Sequence, residues 1–163
     1  MATIISFDLD EIDLQLLDLL QQDAAQSNQA LAERVHVSPP TCLRRIKRLH
    51  EAGLIERQVA ILRPERVAAL RGHGLQTIVE ITLERQGAEL LDAFEARAVQ
   101  DSAVQQCWRV SSGPDFVLIT YTRDMPAYLA LAQRLFTSDA NVRNVRAFFA
   151  TQRAKFDPRI PLL

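Results

Sequence analysis

The hydrophobic period of this chain changes once, and each period suits one kind of element. Up to residue 49, apolar side chains recur every three or four positions. Leu9, Ile12, Leu16 and Leu19 form one stripe, widened by Leu17 and Leu20; Leu31 and Val35 form a second; Leu43, Ile46 and Leu49, flanked by Cys42, form a third. That spacing belongs to helices packed by one face. From Leu75 the period is two: Leu75, Thr77, Val79, Ile81 and Leu83 alternate with Gln76, Glu80, Thr82 and Glu84, Ile78 being the exception. That is a half-buried strand. The chain of 163 residues is thus an α+β protein of two small domains. Pro64, Gly72 and Gly74 mark the change. The expected division is an N-terminal domain over 1–63, a linker over 64–74 with a short helical piece at Glu65–Leu70, a second domain over 75–155, and a tail over 156–163.

In the first domain, residues 1–8 read as a loose arm and helix one as Asp10 to Gln22, its acidic start suited to the helix dipole. Ser27 caps a short helix, Asn28 to Val35. His36-Val37 allows only a tight turn before Ser38, a favoured N-cap, and Pro39, tolerated at the first helical position. Leu43, Ile46 and Leu49 are expected to face inward and Thr41, Arg44, Arg45 and Arg48 outward. Gly53 ends the helix. Two helices joined this closely, the second capped and basic, make a helix-turn-helix. Leu54 to Leu62 is β-rich and reads as a wing.

The net charge of −1 says little about partners, but charge is segregated. The first 33 residues hold acidic groups and no Lys or Arg, whereas Arg34 to His50 is basic without an acid. A basic helix face in this setting fits double-stranded DNA. The early part of such a helix meets base edges. Ser38, Pro40, Thr41 and Arg44 are therefore expected at the groove, with Pro39 also in the DNA-binding surface, Arg45 and Arg48 mainly at phosphate or flanking bases, and Arg57 of the wing at phosphate.

The second domain reads as strand, helix (opened by Gly87, with Leu91, Phe94 and Ala98 inward), strand (Val104 to Val110), turn (Ser111 to Pro114) and strand (Phe116 to Thr122). An Asp124-capped helix with Tyr128, Leu131 and Leu135 inward follows, then a last strand, Val142 to Thr151. The nearly continuous apolar run of the third strand predicts burial. This βαββαβ order is ferredoxin-like, with both helices on one sheet face. The other face then needs a cover, and a second copy by two-fold symmetry is the simplest one.

Cys42 and Cys107 lack metal or redox spacing and read as reduced core thiols. His36, His50 and His73 share no ligand spacing, so no metal or cofactor is expected. No apolar run reaches the ~20 residues of a membrane span, and the charged N-terminal stretch is unlike a secretory leader. A cytoplasmic protein without membrane contact is the expectation.

Along its length the chain resembles the Lrp/AsnC family of transcription regulators. The resemblance is carried by Leu9-Asp10-Glu11-Ile12-Asp13, Asn28-Gln29-Ala30-Leu31-Ala32, the run Val37 to Leu49, Ala52-Gly53-Leu54-Ile55, Val79-Glu80-Ile81-Thr82-Leu83, Asp115-Phe116 and Asp124-Met125-Pro126-Ala127-Tyr128. It implies a winged helix-turn-helix joined to a RAM- or ACT-like sensing domain. It also implies homodimers that assemble to tetramers or octamers, and small effectors, usually amino acids, lying between neighbouring sensing domains. On that basis Val110, Ser112, Gly113, Pro114, Asp115, Phe116, Met125, Phe148 and Ala150 are the expected effector wall. The family pattern G-D-x-D-Y reads Ser112-Gly113-Pro114-Asp115-Phe116 here, so one carboxylate and one hydroxyl are missing. Asp115 has two readings, partner of a ligand ammonium or cap of a local amide. Trp108 and Phe116 likewise belong either to the effector site or to the sheet core.

Two other functions fit the architecture. One is an architectural DNA-binding protein without an effector, which the altered turn allows. The other is a decarboxylase-like enzyme on the same two-domain fold, disfavoured because no histidine follows His73.

Overall fold

The computed structural model describes residues 8–72 and 74–162. The arm expected over residues 1–8, but for Asp8, and His73 lie outside them. The chain divides into two units: the residues up to Ile61 with those from Lys155 onward, and Leu62–Ala154.

Local caps set the helices of the first unit. The Asp10 carboxylate accepts from the Asp13 amide at 2.9 Å and starts α1 (Glu11–Gln22). Ser27 Oγ accepts from the Ala30 amide and starts α2 (Asn28–Arg34). His36 turns the chain with φ +55°, and Ser38 Oγ accepts from the Thr41 amide at the start of α3 (Pro39–Glu51). Gly53, at φ +71°, occupies the left-handed conformation that a helix C-terminus favours for glycine. Leu16, Leu17, Leu19, Leu31, Ala32, Val35, Cys42 and Leu49 form the core. One inward assignment is corrected. The buried stripe of α3 runs through Cys42, Ile46 and Leu49, while Leu43 is 59% exposed. Steps of four then three keep a helical stripe straight, whereas repeated steps of three drift off the contact line.

The expected wing strand does not form among the described residues. Residues 55–63 carry no strand, and Val59, Ile61 and Leu62 are exposed. β propensity alone cannot hold a strand whose backbone groups have no adjacent ladder.

In the second unit, α4 (Pro64–Arg71) buries no residue. It precedes β1 (Leu75–Leu83), α5 (Ala88–Gln100), β2 (Val104–Arg109), β3 (Phe116–Thr122), α6 (Met125–Ala132), a π-helical turn (Gln133–Thr137) and β4 (Val142–Phe149). The last strand stops two residues short of the expected Thr151. The antiparallel sheet has the order β2-β3-β1-β4. Its inner face, with Val79, Ile81, Leu83, Phe116 and Leu118, packs against Phe94 and Ala98 of α5, Tyr128 and Leu131 of α6, and Leu135 and Phe136 of the π turn. β3 is buried on that face only, since its intervening residues Val117, Ile119 and Tyr121 are partly exposed. Ile119 lies in register with Ile78, and Ile78 with Phe148, while Val117 pairs with Trp108. Trp108 therefore lies outside the core, 58% exposed on the open sheet face.

The tail after β4 packs on the first unit. Gln21 donates to the Ile160 carbonyl at 3.0 Å and accepts from the Ile160 amide at 2.7 Å, and Leu162 packs against the core of that unit.

Candidate nucleic-acid interface and effector site

The outward surface of α3 is built by anchoring its inner edge. Asp13 of α1 is fully buried, and both its oxygens are engaged from α3, by Arg45 at 2.8 Å and by Arg48. Arg45 also reaches the Asp10 carboxylate at 2.7 Å. The Asp13 amide, and then the Arg45 guanidinium, hold the Asp10 carboxyl below the usual aspartate range, and Arg45 in turn is raised by its hydrogen bonds to Asp13 and Asp10. A buried carboxylate is tolerated only when its lone pairs are satisfied, so this network fixes the rotation of α3 against α1. The Asn28 amide adds a tie to the Pro39 carbonyl at 2.8 Å.

Of the residues expected at DNA, Ser38, Pro39, Pro40 and Arg44 are exposed and Thr41 is half-buried. Thr41 Oγ1 lies 2.9 Å from Ser38 Oγ. The Arg45 side chain is only 21% exposed and is committed to α1, so its place is at the foundation of the surface. Arg48 keeps a more exposed side chain while touching Asp13. Arg57 stands on an irregular exposed segment beside Glu56, not on a wing strand. Sequence reasoning missed the anchor Asp13, whose burial no local pattern announces, and the outward Lys47 and Leu43.

The expected effector residues do not converge within one chain. Val110, Ser112, Gly113 and Pro114 lie at the β2–β3 turn, where the Val110 amide donates to the Asp115 carbonyl at 3.0 Å and the Asp115 amide to the Ile81 carbonyl at 2.8 Å. Met125 opens α6 beyond the other end of β3, and the Ala150 amide donates to Gln76 near the start of β1. The two groups are separated by nearly the length of β1, roughly 20 Å at the usual rise per residue. Phe148 sits on the open sheet face opposite Ile78. Phe116 is removed from the site: it is fully buried, with its ring centroid 4.8 Å from that of Phe94. One carboxylate oxygen of Asp115 accepts from the Leu83 amide at the end of β1 at 2.7 Å, a tie between distant segments and not the cap of a local amide. Ser112 has φ +65°, a left-handed backbone where glycine is the unstrained residue.

A cleft of ≈ 270 Å³ opens at the Ala150 end, with Glu65, Gln76, Tyr121 and Arg153 among its lining. Gly74 closes against Tyr121, whose phenol a Cβ there would overlap. Only Ala150 of this cleft was expected, because Glu65 and Arg153 are brought together by topology alone. Among the described residues, no group of three or more His, Cys, Asp or Glu is placed to hold a metal, and no helix is long and apolar enough to cross a membrane.

A capped basic helix on a three-helix unit, followed by a βαββαβ unit, defines a DNA-binding regulator with an appended ligand-binding domain. Residues 9–56 match the family model for winged helix-turn-helix DNA-binding, and residues 76–160 that of the Lrp/AsnC ligand binding domain. The chain belongs to the Lrp/AsnC family and is a DNA-binding transcriptional regulator of that type. It is 34% identical to the leucine-responsive regulatory protein of Salmonella typhimurium over 94% of this chain and 91% of the relative. It is 33% identical to the DNA-binding transcriptional activator DecR of Escherichia coli over 94% and 99%. A transcriptional regulator of Neisseria meningitidis, solved as a complex with L-Met, superposes with a TM-score of 0.82 at 29% identity, covering 95% of this chain and 97% of that one.

Proposed function

We propose that this protein is a sequence-specific regulator whose occupancy of DNA is set by a small amino acid or a close metabolite, acting in the cytoplasm and without catalysing a reaction. The carrying observation is the outward face of α3, where Ser38, Pro40, Thr41 and Arg44 stand on a helix held by the Asp13 network. Ser38, Pro39, Pro40, Thr41 and Arg44 enter the major groove. Arg48 takes phosphate, Arg57 contributes weakly, and Arg45 acts by positioning the helix.

The exposed apolar strip of Trp108, Val117, Ile119, Ile78 and Phe148 supports a homodimer closed face to face through the sheet, assembling further to tetramers or octamers. Neighbouring copies also suit the split effector residues: the Val110 to Asp115 turn of one domain meets the Met125, Phe148 and Ala150 end of another. The amides about Ser112 and Gly113 receive the ligand carboxylate, and the carboxylate oxygen of Asp115 not used by Leu83 is available to its ammonium. The methionine complex of the Neisseria relative supports this ligand class. The test is selection of binding duplexes from random DNA, then calorimetry and DNA titration with the standard amino acids and their catabolites at millimolar concentration. One compound is expected to bind and shift the DNA affinity. Selection of a defined site with no responding compound would replace the sensing reading with the architectural one.

A further inference from the structure

We propose that Leu43 is a specificity-determining residue of the DNA interface, reading the 5-methyl group of a thymine in the major groove. This rests on the reading of α3 as the recognition helix and adds to its polar contacts an apolar one. Core demands do not explain the residue: Cys42 and Leu49 are fully buried and Ile46 packs beside them, while Leu43 is 59% exposed. It lies in the second turn of α3, one helical turn beyond Pro39 and Pro40 and one before Lys47, on the flank of the face that carries Arg44. Pro39, Pro40 and Lys47 are themselves exposed. The early turns of such a helix are the part that approaches base edges.

An isolated apolar side chain among cations gains little from solvent, and the major-groove edge of an A·T pair offers one matching apolar group, the thymine methyl. Arginine and lysine beside it supply the attraction to phosphate that brings the edge within reach. The contact distinguishes thymine from cytosine by burying a methyl, and it requires no hydrogen bond.

The experiment uses the full-length protein and a duplex selected from random DNA. Each thymine of a half-site is replaced in turn by deoxyuridine, which keeps the pairing and removes only the methyl. The parent is expected to lose about fourfold in affinity at one thymine per half-site, the effect of one buried methyl-sized group. Leu43→Ala should bind the two duplexes alike, and Leu43→Met should retain the discrimination. Leu43→Gln, polar at a position 59% exposed, should lose the discrimination as well and keeps the test decisive if the alanine variant fails to fold. Equal loss by Leu43→Ala on all duplexes, or a methyl effect that survives the substitution, would overturn the proposal. Arg44→Ala separates the two levels. If it weakens binding while no thymine methyl matters, α3 is the reader and Leu43 is not; if neither change matters, both readings fall.

Discussion

Single residues in this chain carry costs that their surroundings reveal. Ser112 holds a left-handed backbone angle at the turn after β2, at the place where the related pattern has glycine. A non-glycine residue there forgoes about 1 kcal/mol or more, partly offset by the greater entropy glycine gives the unfolded chain. Ser112→Gly is therefore expected to stabilise the second unit by up to about 1 kcal/mol, measured by urea unfolding followed through Trp108. Thr77 and Thr120 are Cα partners on β1 and β3, both fully buried, and neither hydroxyl has a hydrogen-bond partner among the described residues. Burying an unpaired hydroxyl costs about 1–3 kcal/mol, so Thr120→Val, close in volume, should raise the midpoint of the same transition. A lower midpoint would show that the hydroxyl is satisfied in solution. The serine in place of a glycine was visible in the sequence but its backbone angle was not, and the threonine pair was not visible at all: Thr77 read only as an inward strand residue, and its lack of a partner depends on a register between distant segments.

At the scale of elements, what is local was legible and what needs a partner was not. Asp10, Ser27, Ser38 and Asp124 cap through amides three residues away, so their helices could be placed from short windows. The stretch Leu54 to Leu62 has strand-like residues but no neighbour to pair with among the described residues. β3 looked buried on both faces because its outward residues are apolar as well, a property of an uncovered sheet face. The joint between α1 and α3 was equally silent, since the Asp13–Arg45 and Asp13–Arg48 pairs join side chains far apart in sequence. Asp13→Asn keeps the size of the side chain but removes the charge facing two guanidinium groups and turns one of the two engaged acceptors into a donor. It should destabilise the first unit by about 3 kcal/mol and weaken binding to all DNA sequences together. The pH dependence follows from Asp10, whose carboxyl titrates below its unfolded value because the Asp13 amide, and then Arg45, favour the charged form. Its contribution is complete above about pH 4, near the ordinary aspartate value, and is lost as pH falls through the depressed folded value. The protection of α1 amides, taken relative to the intrinsic exchange rate at each pH, should fall through that acidic window, and Asp10→Asn should flatten the dependence.

At the scale of the whole molecule, the chain visits the DNA-binding unit twice, first with α1 to α3 and again with the tail that Gln21 holds at Ile160. Removing residues 156–163 should therefore increase hydrogen exchange in α1 while leaving β1 and β3 unchanged; equal protection with and without the tail would contradict its packing there. The open sheet face predicts that Trp108→Arg shifts the protein to smaller species in light scattering. Whether α3 reads DNA is decided by the affinity of the full-length Arg44→Ala variant for a selected duplex and for unrelated DNA at several salt concentrations. A loss of about 1–3 kcal/mol is expected on the selected duplex, with a smaller loss on unrelated DNA, so that discrimination itself declines. An Arg44→Ala protein that binds both as the parent does, with the same salt dependence, would contradict that role for α3.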